Sequence, residues 1–187
     1  MVKDMKDMLL EKRIDSEVKF KGKLMTVETD NVMLSNGKTA YREVIRKHGG
    51  VCILPLTDEG EVIFVNQFRY PYAEVVKEIP AGKMEKGEDP LECGLRELSE
   101  ETGYTADKVI SLGKFYPTPA IIDEVIYIYL ATQLKTGEAH LDEGEFLTVE
   151  KIGLEKALQM VLDGEIVDGK TQTAILKTWV LKQKGQI

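Results

Sequence analysis

The chain has 187 residues, 43% hydrophobic and 30% charged, with a formal net charge of −7, which suits one globular domain with or without an extension. That acidity excludes a non-specific grip on nucleic-acid phosphates, yet an acidic protein can handle a polyphosphate when metal cations lie between them. No apolar run approaches a membrane span, and the start MVKDMKDMLLEKRIDSE is too charged for a secretory signal, so a cytoplasmic protein without membrane or nucleic-acid partners is expected.

The first fifty residues read as strands. SEVKFKGKLMTVETDNVMLSNGKTAYREVIRK is rich in β-branched and aromatic residues, and Asn36-Gly37 predicts a hairpin turn. GGVCILPLT and EVIFVNQFRY flank the turn DEG and predict a second hairpin, whose first strand is apolar enough to be buried on both faces. EIPAGKMEKGE reads as a loop entering an acidic helix. VISLGKFY and DEVIYIYLATQL predict further strands joined by the loop PTPAII, and the acidic loop TGEAHLDEGE precedes a short strand at FLTVEKI. Helical patterns over 153–162 and 168–183 close the chain. This order points to the α/β class: an α/β/α sandwich with a mixed sheet over 48–187, preceded by a small N-terminal β extension over 1–47.

Cys52 and Cys93 lie far apart without CxxC spacing and read as two buried thiols in a reducing compartment. His48 and His140 fit no triad or zinc pattern. The acidic helix carries more information. Asp89 suits the N-cap, Pro90 the first helical position, Glu92 a capping box and Gly103 the C-terminal stop. Leu91, Leu95 and Leu98 form a stripe facing the core. Glu92–Arg96 and Arg96–Glu100 are expected i,i+4 pairs, leaving Glu97 and Glu101 as an unpaired carboxylate couple roughly 6 Å apart. Gly94 is expected to leave space beside the helix. Hard cations such as Mg²⁺ take oxygen ligands and use few protein carboxylates alongside substrate phosphates. A phosphate-cradling P-loop is excluded, because Glu88 stands where that motif needs lysine.

Gly82, five residues, Glu88, seven residues and then RELSEETGY resembles the Nudix box, with Gly82, Glu88, Arg96, Glu97, Glu100, Glu101 and Gly103 at its fixed positions. Tyr104 replaces the usual aliphatic residue at its end. Outside the box, QFRYPYAEVVKEIPAGKME, FYPTPAIIDE and LDEGEF resemble segments of the ADP-ribose pyrophosphatase branch, with Ala120 where a glycine is usual. The resemblance implies Mg²⁺-dependent hydrolysis of ADP-ribose to AMP and ribose 5-phosphate, with Mn²⁺ as a substitute ion. Two alternatives stay open: another nucleoside diphosphate sugar or dinucleotide as substrate, and a non-hydrolytic ADP-ribose sensor.

Carried over by position, the resemblance implies that Glu97, Glu101 and the Ala81 carbonyl bind the metal, with Glu100 sharing a further ion. Arg96 orients the carboxylates and Glu88 braces it. Glu145 or Glu143 activates water or completes the metal site, and the pattern does not separate them. Arg69 contacts the diphosphate, Glu78 the ribose or adenine side, Phe20 and Arg42 clamp the adenine, and Pro119 marks the loop after the box. The strands of the extension carry apolar residues at alternate positions, and a small β extension alone is marginally stable. A homodimer is therefore expected, and the resemblance implies that the extension crosses to the neighbouring subunit and puts Phe20 at its adenine pocket.

Overall fold

The computed structural model describes residues 5–187, and the chain divides into two compact units. One unit runs through His48 and also takes in 116–124; the other holds 49–115 and 125–187. Residues 1–4 of the expected extension lie outside the described residues.

The first unit opens on a short helix, α1 (Met5–Leu9), where only strands were expected. Then follow β1 (Lys12–Lys21), β2 (Met25–Met33) and β3 (Thr39–Lys47), an antiparallel sheet in that order. The β2–β3 hairpin turns where Asn36-Gly37 predicts it. Gly37 donates its N–H to the Leu34 carbonyl and takes a φ of 80°, the left-handed position a three-residue hairpin loop needs. The segment 116–124 joins β3 through a parallel bridge, Ile45 to Ile122, and the Lys47 N–H donates to Asp123 Oδ1 at 2.9 Å. Thus the loop bearing Pro119 belongs with the extension. β1 is exposed along its whole length, with Ile14, Val18 and Phe20 open to solvent.

In the second unit, β4 (Gly50–Pro55) is the centre. It runs parallel to β9 (Ile126–Thr136) and antiparallel to β7 (Ala81–Lys83), and β8 (Tyr104–Phe115) completes the sheet beyond β9. A second sheet has the order β10 (Leu147–Gly153), β5 (Glu61–Arg69), β6 (Glu74–Glu78). The predicted hairpin of GGVCILPLT with EVIFVNQFRY is therefore corrected. The chain does turn at 57–60, but beyond one bridge, Leu56 to Val62, β4 and β5 part into different sheets. The reason lies in the sequence of β4: a strand apolar on both faces needs neighbours on both edges and cover on both sides.

That cover comes from three helices. α2 (Pro90–Thr102) packs Leu98 against Ile53 and Ala131 on one face of the sheet. On the other face Cys52 and Leu54 join Phe64, Ile128 and Leu130 under α3 (Leu154–Leu162) and α4 (Gly169–Gln183), which contribute Leu154, Ala157, Ala174 and Ile175. The expected mixed-sheet α/β/α sandwich is present. Within EIPAGKMEKGE, read as loop, Glu78 ends β6 and Ala81–Lys83 forms β7, with Ile79-Pro80 between them where the chain passes from one sheet to the other. Both cysteines are buried and free, as expected, and burial pushes each thiol up to about 12, so neither is a nucleophile.

Candidate active site

The site is assembled on α2 and the strand facing it. Asp89 accepts the N–H groups of Leu91 and Glu92 at 2.8 and 3.3 Å, Pro90 starts the helix, and Gly103 ends it with a φ of 73°. These caps fix which residues share a face. Gly94 does not open space beside the helix: a Cβ there would stand 3.2 Å from Val51 Cγ2, so its role is close packing of α2 on β4. The space for the carboxylates is made across from the helix, at Gly82. A Cβ on Gly82 would fall 1.8 Å from Glu97 Oε1, so the glutamate lies over bare backbone. One residue earlier, the Ala81 N–H donates to Glu101 Oε2 at 3.2 Å.

Arg96 is the hub of the charges. Its Nε and Nη2 grip Glu88 at 2.9 and 3.2 Å, and its Nη1 reaches Glu100 at 2.8 Å and Glu97 at 2.9 Å. The expected partner one turn back, Glu92, is thus replaced by Glu88. The reason is geometric: the bent loop before the helix presents a carboxylate to the guanidinium fork, a bidentate contact that Glu92 on the helix surface cannot match. Arg96 holds the Glu88 carboxyl down at about 2. Glu97 is not wholly unpaired, but burial and the charges of Glu100 and Glu145 still outweigh Arg96 and push its carboxyl upward. Glu101, 3% exposed, is pushed up to about 8, first by burial and then by the charge of Glu97.

Glu143 and Glu145, inseparable by pattern, are separated by the turn they sit in. The Glu145 N–H donates to Asp142 at 3.0 Å, with Gly144 at a φ of 86°. Glu143 is left exposed, whereas Glu145 is half-buried and its charge bears on both Glu97 and Glu101. Gln67 donates to Glu145 Oε1 at 2.9 Å. The same loop is tied down at its start, where the His140 N–H donates to the Glu100 carbonyl at 2.9 Å.

Arg69 also belongs to this unit, raised first by its hydrogen bonds to Glu78 and, less, by the charge of Glu101. Its Nε and Nη2 bond Glu78 at 2.5 and 2.9 Å. Glu78 is buried, with both oxygens engaged, by Arg69 and by Lys170. Burial alone would raise its carboxyl, but these cations hold it below the ordinary range. Lys170, Asp168 and Gln67 were not singled out by sequence reasoning. Asp168 had a readable signal as the N-cap of the last helix; the other two had none, because their partners are distant in sequence.

Phe20, Arg42 and Pro119 lie in the first unit. Phe20 is 54% exposed on β1, while Arg42 on β3 is gripped by Glu11 at 2.9 and 2.6 Å. Register places Phe20 opposite Val27 and Ile45, three positions along from Arg42 and two strands away. At ordinary strand spacing and rise that separates their backbone positions by about 14 Å within one chain.

The donor set suits a hard divalent ion: all-oxygen ligands, among them the buried Glu101 and half-buried Glu97 carboxylates, whose mutual repulsion a cation relieves. Among the described residues no three His, Cys, Asp or Glu side chains encircle a point; Glu97 is paired with Arg96, and Glu145 accepts from Gln67. A carboxylate helix set against a bare glycine strand offers hard oxygen ligands of the kind that hold a divalent cation beside phosphate groups. The family model for the NUDIX domain matches residues 46–170, and the chain belongs to that family. It is 46% identical over 169 residues to the ADP-ribose pyrophosphatase of Bacillus subtilis (strain 168), covering 89% of this chain and 91% of that one. It is 41% identical over 167 residues to the methanol dehydrogenase activator of Bacillus methanolicus, covering 88% and 90%. A crystal structure of an ADP compounds hydrolase superposes with a TM-score of 0.85 over 96% of this chain and 98% of the other at 23% identity, a likeness of fold.

Proposed function

We infer that this protein is a NUDIX hydrolase that cleaves the diphosphate of ADP-ribose to AMP and ribose 5-phosphate, using Mg²⁺ or, in its place, Mn²⁺. The observation that carries the reading is the approach of Glu97 and Glu101 to the bare Ala81–Gly82 backbone. Glu97, Glu101 and the Ala81 carbonyl hold the ion, with Glu100 and Glu145 available to a second. When bound, the metal neutralises the diphosphate and acidifies a water. The chain does the rest. Glu145, aimed by Gln67 and the Gly144 turn, accepts the proton of the attacking water. Arg96, fixed by Glu88, keeps Glu97 and Glu100 oriented. Arg69 contacts the diphosphate, and Glu78, which also holds Arg69, faces the ribose or adenine side.

A homodimer fits the same reading. The exposed face of β1 and the separation of Phe20 from Arg42 within one chain support an adenine clamp completed by a second copy, with Pro119 on the loop beside it. Two free cysteines support a reducing compartment, the cytoplasm. The test is product analysis with Mg²⁺ across ADP-ribose, ADP-glucose, GDP-mannose and diadenosine diphosphate. AMP and ribose 5-phosphate formed at the highest kcat/KM from ADP-ribose bears the reading out. Preference for a guanosine or uridine sugar assigns another substrate, and tight binding of ADP-ribose without turnover makes the protein a sensor.

A further inference from the structure

The first turn of α4 carries a polar cluster that the reaction leaves without a part. Lys170 Nζ bonds Glu78 Oε2 and, at 2.9 Å, Asp168 Oδ1, and its side chain is only 13% exposed. Thr171 Oγ1 donates to Asp168 Oδ2 at 2.6 Å and accepts the Ile79 N–H at 3.0 Å. This turn therefore holds two successive residues at the end of β6, Glu78 by its side chain and Ile79 by its backbone. Both lie just before Pro80, whose carbonyl takes the Ile53 N–H, and Ala81, whose N–H holds Glu101.

The charges of the cluster balance: Arg69 and Lys170 against Glu78 and Asp168. Glu78 fixes the guanidinium through Nε and Nη2, a two-point contact that sets which way the fork faces. Lys170 in turn pins one oxygen of the carboxylate. Without Lys170, buried Glu78 and half-buried Asp168 are left with Arg69 as the cation of the cluster, and Arg69 is drawn further into their field. An arginine turned inward and more fully neutralised has less charge and poorer aim for an anion.

We propose that Lys170 is a positioning residue: acting through Glu78, it sets the Arg69 guanidinium against the substrate diphosphate. The proposal rests on the reading of Arg69 as the diphosphate contact, and the experiment separates the two. Steady-state kinetics with ADP-ribose and Mg²⁺, and calorimetric binding of its α,β-methylene analogue, are measured on full-length Lys170→Met, Lys170→Arg, Arg69→Ala and the Lys170→Met/Arg69→Ala pair. Lys170→Met is expected to raise KM and the analogue's Kd about tenfold with kcat within about threefold of wild type, a loss of binding rather than of chemistry. Lys170→Arg restores most of the affinity. In the Arg69→Ala background, Lys170→Met adds less than about twofold, because its effect runs through the absent arginine. Unchanged KM in Lys170→Met while Arg69→Ala raises it, or losses that multiply independently in the pair, overturns the proposal and spares Arg69. Unchanged KM in Arg69→Ala overturns the reading beneath it. Should Lys170→Met not fold, Lys170→Met/Asp168→Asn restores the charge balance, still leaves the Glu78 carboxylate unpinned, and takes its place in the cycle. A smaller rise in KM, at least about threefold, is then expected and is lost in the Arg69→Ala background, and an unchanged KM overturns the proposal.

Discussion

Gly82→Ala isolates the contact that makes room for Glu97. The new Cβ would stand 1.8, 1.9 and 2.4 Å from Oε1, Cδ and Oε2 of that glutamate. Ordinary contact begins at 3.4 Å, so the carboxylate must retreat by about 1.6 Å (3.4 − 1.8). Gly82 is not among the positive-φ glycines, so alanine brings no backbone strain there, and the change is worth at most about 1 kcal/mol in favour of folding. The damage falls on the ligand. A displacement of about 1 Å costs roughly 10²-fold in rate, and this one is larger. We expect kcat/KM for ADP-ribose to fall about 10²- to 10³-fold, or about 3–4 kcal/mol. The assay is initial-rate hydrolysis at saturating Mg²⁺, with a Mg²⁺ titration and a thermal melt on the same preparation. The apparent Mg²⁺ affinity should fall, while Tm stays within about 4 °C of wild type. Activity within fivefold of wild type, at unaltered Mg²⁺ affinity, would show that Glu97 works equally well elsewhere and would refute the reasoning.

Glu145→Gln should lower kcat at least about 10²-fold with little change in KM, while Glu143→Gln, exposed on the far side of the turn, stays within about threefold; equal effects in stopped-assay kinetics would undo the separation of the two. In metal-free protein, Glu101 keeps its proton up to about pH 8, while in the unfolded chain it releases it near 4.5. Stability contributed at this residue therefore falls as pH rises from about 4.5 to 8, because the unfolded state loses its proton first. Melting in EDTA across that range should show the decline, Glu101→Gln should flatten it, and a wild-type profile unaffected by the substitution would contradict the assignment. Sedimentation at micromolar concentration should give a dimer, and deletion of residues 1–47 a monomer or aggregate with KM raised at least about tenfold; a fully active full-length monomer would exclude the shared clamp.

The helix of the box was legible because everything that defines it is local. Asp89, Pro90 and Gly103 mark its ends, the leucines its buried face, and the glutamates its charge, all within a span in which 3.6-residue periodicity decides who is neighbour to whom. The same is true of the Asn36-Gly37 hairpin, where a left-handed glycine sets the turn. The sequence also marked β4 as buried on both faces, and this held. What it could not say is which strands flank it: proximity in the chain suggested β5, and only packing decided for β7 and β9, since the sheet forms where both faces can be covered at once. The finer points of the site are of that second kind. Arg96 chooses Glu88 over Glu92 because a loop bends it into reach. Glu145 is distinguished from Glu143 by the direction of one turn and by Gln67, 78 residues away. Lys170 meets Glu78 across 92 residues. Residue types and local periodicity announce which charges a chain carries and on which face of a helix they lie; which of them meet is decided by strands and helices brought together from distant parts of the chain, where burial makes each pairing compulsory.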